Sequence, residues 1–182
     1  RLDSTERPDI PPYGNVVDYL TFGGIYRDVR LKLVEPVYIA DVFVKTDDVL
    51  TEAVTLECDV TLKNVGGAAR KATLALLIEA PDGSEIAGSE QEVELPASGE
   101  VVINALFDGE LLQAPVDLWT LTAPARYRLS AFLQPSDKPE GDVFNDEGAL
   151  DYVEQAFGFR EAEFRDDGFY LNGEKIKLRG LN

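Results

Sequence analysis

Histidine is absent from the 182 residues, and cysteine occurs once, at Cys58. Without histidine the chain lacks the commonest general base and the commonest neutral metal ligand. A Ser-His-Asp triad, a Cys-His dyad and a histidine-based zinc site are therefore excluded within it. A single cysteine excludes an intrachain disulfide. No apolar run approaches the roughly 20 residues of a membrane-spanning helix, so no membrane partner is expected. Basic residues are scarce: 17 Lys and Arg stand against 34 Asp and Glu, a formal charge of −17. The charges are scattered and read as solvated faces. Nucleic acid is disfavoured as a partner, because phosphate binding needs grouped Lys and Arg. The opening residues, Arg1-Leu2-Asp3-Ser4, carry neither an initiator methionine nor a signal-peptide pattern. They read as a boundary within a longer polypeptide and leave the compartment unreadable.

What is present is a hydrophobic fraction of 45 %, enough to bury a core. The length fits one domain, or one domain with pieces of its neighbours. Val54, Leu56, Cys58, Val60 and Leu62 alternate with Thr55, Glu57, Asp59 and Thr61. That period of two predicts a half-buried strand with the first set inward. Cys58 then lies on the inner face as a small buried hydrophobe. Further strands are predicted at 37–45, 72–80, 91–95, 101–107, 127–133 and 150–159. Turn chemistry separates them at Asn64-Val65-Gly66-Gly67, Pro81-Asp82-Gly83 and Pro96-Ala97-Ser98-Gly99. About seven short strands with no long amphipathic helix predict an all-β, immunoglobulin-like sandwich over residues 36–160.

The ends differ from this centre. Residues 1–20 carry Pro8, Pro11 and Pro12 among polar residues and read as an extended loop. Gly23-Gly24 reads as a tight bend into a strand over Ile25–Leu33; no phosphate-binding fingerprint surrounds it. Tyr170 to Ile176 predicts a hairpin, because Asn172-Gly173 accepts the positive φ of a type I′ turn.

Four segments, in order, resemble one family of glycoside hydrolases, family two, which includes β-galactosidases, β-glucuronidases and β-mannosidases. Asp9-Ile10-Pro11-Pro12 with Phe22-Gly23-Gly24-Ile25-Tyr26-Arg27-Asp28-Val29 resembles the end of the family's sugar-binding jelly-roll domain. The strand block from Val37 resembles its immunoglobulin-like middle domain. Leu118-Trp119 with Pro124 and Tyr127 matches a Leu-Trp … Pro-x-x-Tyr spacing, although Thr120-Leu121 replaces the family's usual Ser-Pro. Phe157-Gly158-Phe159-Arg160 through Arg179-Gly180-Leu181-Asn182 resembles the entry into its catalytic (β/α)8 (TIM) barrel.

The resemblance implies three parts: residues 1–35 as the end of a jelly roll, 36–160 as the sandwich, and 161–182 as the start of the barrel. It implies a non-catalytic spacer in a retaining glycosidase that removes terminal β-linked sugars in carbohydrate metabolism, with β-galactosidase favoured. Its partners would be the flanking jelly-roll and barrel domains, with glycan reached only through the intact enzyme. No cofactor is implied. Retaining enzymes use two carboxylates about 5–5.5 Å apart, and the family's acid/base Glu follows an Asn. No Asn-Glu dipeptide occurs here, so no catalytic residue is assigned. Arg179 and Asn182 are the candidates to shape the sugar site in the intact enzyme.

Two further readings stay open. An independent carbohydrate-binding module would use Trp119, with Tyr127, as a sugar platform; the alternative is a core Trp beside a corner Tyr at the start of a late strand. A cell-surface adhesion domain has the same fold but no use for a barrel entry. The loop holding Asp137, Glu140, Asp142, Asn145, Asp146 and Glu147 could offer oxygens to calcium, with Asp142 and Asp146 as candidates. Its spacing is not that of an EF-hand, and a solvated acidic loop, a common feature, is the favoured reading.

Overall fold

A computed structural model describes residues 25, 27–136 and 143–180. The chain divides into two compact units, Arg1–Leu33 and Val34–Asn182. In the first, the described residues 27–33 form no strand, against the expected strand over Ile25–Leu33. Val29, Leu31 and Leu33 are exposed. Alternation yields a strand only where a neighbouring strand completes its hydrogen bonds, and among the described residues no strand pairs with this segment. The expected loop over 1–20 and the bend at Gly23-Gly24 lie outside the described residues.

The second unit is all-β. Its strands are β1 Val37–Asp47, β2 Thr55–Asn64, β3 Arg70–Glu79, β4 Glu85–Leu95, β5 Gly99–Phe107, β6 Tyr127–Pro135 and β7 Asp151–Phe157. Three shorter strands complete it: β8 Ala162–Arg165, β9 Gly168–Leu171 and β10 Glu174–Ile176. One sheet runs β1-β2-β5, a second β4-β3-β6-β7 and a third β10-β9-β8, with every named pair antiparallel. The first two sheets share one hydrophobic core, which makes the predicted immunoglobulin-like sandwich. β4 begins six residues before the predicted strand. Its first half, Glu85-Ile86-Ala87-Gly88-Ser89-Glu90, is poor in β-branched residues and is held by its pairing along the length of β3. β8 has no counterpart among the expected strands.

Val54, Leu56, Cys58, Val60 and Leu62 are completely buried, as their alternation predicts. Facing them from the second sheet are Leu74, Leu76, Ile78, Leu129 and Leu133, also fully or almost fully buried. Each such side chain contributes about 1.5–3 kcal/mol by leaving water. A slip of one residue would turn Glu57 and Asp59 inward, so this face fixes the register.

The turns close in two ways. Asn64, 1 % exposed, donates through Nδ2 to the carbonyls of Ala68 (2.9 Å) and Pro96 (3.0 Å), and its Oδ1 accepts from the Gly66 N–H (2.9 Å). One buried amide thus ties the β2–β3 turn to the β4–β5 turn. At the opposite end of β3 the Asp82 carboxylate accepts from the Ser84 hydroxyl (2.6 Å) and N–H (2.9 Å). These bonds, the hydroxyl's first, lower the Asp82 pKa. Gly83 caps that turn at φ 87°.

Candidate functional site

The informative region is where the sandwich meets the third sheet. Tyr127 begins β6, and its hydroxyl accepts a 2.8 Å bond from the Asp117 N–H. Its ring meets Phe159 edge-on at 4.8 Å between centroids and Phe157 at 5.7 Å. This matches the corner tyrosine predicted for a late sandwich strand. Burial raises the phenol pKa, while the Asp117 bond acts against that shift.

Trp119 departs from both sequence readings. It is half-buried and lies outside the core cluster, and the Arg160 guanidinium sits over its ring, 5.3 Å from the centroid. A cation over one face occupies that face against a stacked sugar. Gly158 lies close below: a Cβ placed there would stand 2.8 Å from Trp119 Cβ. The Trp119 N–H donates to the Phe159 carbonyl at 2.8 Å. The glycine of Phe-Gly-Phe-Arg is thus the residue that lets the Trp119 loop lie against the end of β7.

Asn172 joins this loop to the third sheet. It takes φ 51°, and Gly173 takes φ 77°, the pair of positive values predicted for the Asn-Gly turn. Its Nδ2 donates to the Trp119 carbonyl at 2.9 Å, and its Oδ1 accepts from the Glu161 N–H at 3.0 Å. Its own N–H donates to the Glu161 carbonyl at 2.8 Å. The turn chemistry is legible in the sequence; this second use of the side chain has no local signal.

Beside Trp119 a cleft of about 490 Å³ opens between β1 and β7, each an outer strand of its sheet among the described residues. Val42, Phe43 and Thr46 of β1 and Gln155 and Phe157 of β7 line it, together with Arg126 and Arg160. The seam is closed at its other end, where the Ile39 N–H donates to Asp151 Oδ2 at 3.0 Å. A bulge at Ala40 lies just beyond that bond. Sequence reasoning does not single out Arg126; nothing in its local pattern marks it.

Arg179 is exposed beyond β10, in no regular element, and Asn182 lies outside the described residues. Of the calcium candidates, Asp142 also lies outside the described residues, and Asp146 is exposed. Among the described residues no group of three or more His, Cys, Asp or Glu is arranged to hold a metal. Cys58 is fully buried between the sheets, and burial, then the neighbouring Asp59 charge, pushes its thiol up to about 12. It is a core side chain in a form that resists becoming the nucleophilic thiolate.

The family model of glycosyl hydrolases family 2 matches residues 37–160, the span of the sandwich and its Phe-Gly-Phe-Arg end. The chain belongs to this family. This family 2 chain is 37 % identical over 181 residues to a β-galactosidase of Thermoanaerobacterium thermosulfurigenes, covering all of itself and 23 % of that protein. It is 36 % identical over 185 residues to a β-galactosidase of Rhizobium meliloti, covering all of itself and 22 % of that protein. Among solved structures it matches a β-glucuronidase 2 of Bacteroides uniformis at TM-score 0.78 and 28 % identity. That match covers 96 % of this chain and 20 % of the other. The family 2 chain thus spans under a quarter of the length of these larger glycosidases and corresponds to one part of them.

Proposed function

We propose that the chain is the non-catalytic spacer of a retaining β-glycosidase, a β-galactosidase, which removes terminal β-linked sugars. In this reading residues 36–160 hold apart and orient a jelly roll, whose end is 1–35, and a barrel, whose first hairpin and strand are 161–182. Arg179 and Asn182 would help shape the sugar site of the whole enzyme. The carrying observation is the match of the whole chain to little more than a fifth of two β-galactosidases. The physical contribution is stiffness. A doubly layered core, with β8–β10 hydrogen-bonded to its Trp119 loop, would fix the angle between the two flanking domains.

The test is an assay of the chain, and of a longer polypeptide containing it, on aryl β-galactoside, β-glucuronide and β-mannoside. The longer polypeptide should turn over the galactoside with retention at the anomeric carbon, and the chain alone should turn over none. Turnover by the chain alone, abolished by a substitution within it, would overturn the proposal.

A further inference from the structure

The cleft between β1 and β7 holds two cations that, among the described residues, have no carboxylate partner, in a chain of net charge −17. Arg126 makes no ion pair with any described residue, and Arg160 lies against the Trp119 ring. Arg128, two residues from Arg126, shows how readily this surface supplies partners: it pairs with Glu79 at 2.5 Å and Glu154 at 3.5 Å. The open edge of β1 adds a second requirement. Beyond the Ala40 bulge its backbone pairs, among the described residues, only with β2, so its other side presents N–H and C=O groups along Val42–Thr46. Such an edge is a template for an added strand. Exposed Phe43 and half-buried Trp119 supply apolar rim, and the ring holds the Arg160 guanidinium in place before anything binds.

We propose that this cleft receives an extended, acidic segment from elsewhere in the same longer polypeptide. The segment runs along the edge of β1, and its carboxylates pair with Arg126 and Arg160. This rests on the spacer function proposed for the chain, in which most of the polypeptide lies outside these residues. A peptide satisfies both the backbone edge and the two cations; a saccharide carboxylate would satisfy only the cations. Arg160 is then a docking contact, and Trp119 its positioning partner.

The experiment compares Arg126→Gln, Arg160→Gln and the double variant in the chain alone and in the longer polypeptide. In the longer polypeptide the double variant should lower the unfolding midpoint by roughly 4 °C or more, and in the chain alone by about 1–2 °C, from the lost ring contact. Hydrogen exchange at those N–H groups of residues 42–46 that point away from β2 should be slow in the longer polypeptide, fast in the chain alone, and fast again in the double variant. Arg160→Lys, which keeps the charge, should recover part of the lost midpoint. Equal shifts in both contexts, or equal exchange at 42–46, would overturn the proposal. So would saturable perturbation of the Trp119 indole by oligoglucuronate in the unsubstituted longer polypeptide, which would make the occupant a sugar. Absence of glycosidase turnover by the longer polypeptide would sink the spacer function and leave the midpoint comparison intact.

Discussion

In the sandwich, β2 buries four alternate side chains completely, whereas in the third sheet only Leu171 is buried and Phe164 stays 84 % exposed. β2 in the one and β8 in the other both alternate apolar and polar residues. They differ in what covers the apolar side. The sandwich supplies its own cover, because two sheets face one another across a shared core. The third sheet has three short strands and one facing row, Phe164, Phe169 and Ile176, without a second layer over Phe164 among the described residues. Three strands need a packed face to be stable by themselves. Here the attachment includes a polar contact, the Asn172 side chain bridging Glu161 and Trp119. One region is held by area and the other by a few directed bonds.

The contrast is tested most forcefully in the core. Leu56→Ala should destabilise the whole chain by about 3 kcal/mol, with β8–β10 lost in the same transition. Urea unfolding followed by far-UV signal and by Trp119 fluorescence checks it; two separate transitions would show that the sheets are independent. Gly158→Ala should cost about 1–3 kcal/mol, since its Cβ meets Trp119 Cβ at 2.8 Å. The loss should be felt first in the exchange of residues 168–176. Asn172→Gly keeps the positive φ but removes the bridge. It should cost about 1–2 kcal/mol locally, speeding exchange in 168–176 roughly tenfold while 56–62 are unchanged. Unchanged exchange there would mean that packing, not the amide, holds the sheet.

A pH series probes the same contrast from the core side. The Cys58 thiol lies near 9.0 in the open chain and near 12 in the fold, so folding favours its protonated form. Its contribution is whole below pH 9 and falls as pH rises toward 12, by up to about 1.4 kcal/mol per unit. Chemical denaturation of the wild type and Cys58→Ala between pH 8 and 10.5 reads the difference, which should narrow with rising pH. The smallest effect is expected at Phe164. Truncation to Ala at this exposed ring should stay within about 0.5 kcal/mol in the chain alone.

Sequence patterning reaches the sandwich because its signal is local. The inward set on β2, the Asn172-Gly173 turn and the Tyr127 corner each depend on residues a few positions apart. What it misses is set by distance in sequence. The Ala40 bulge, the Ile39–Asp151 seam and the Asn172–Trp119 bond join residues whose relation exists only after the sheets assemble. The setting of Trp119 escapes it for the same reason: its neighbour on the ring, Arg160, is far along the chain. The expected strand over Ile25–Leu33 fails in the opposite way, since its pattern is present and, among the described residues, a pairing strand is not.

The two kinds of turn described at the ends of β3 divide the molecule into places that tolerate grafting and places that do not. Asn64 serves two loops at once, so lengthening either loop would strand a buried amide. The Asp82-Gly83 turn satisfies its own side chain through Ser84, and nothing lies within 4 Å of a Cβ built at Gly83. An epitope or reporter spliced between Asp82 and Gly83 would therefore project into solvent with little disturbance of the core, giving a handle for immobilising the protein.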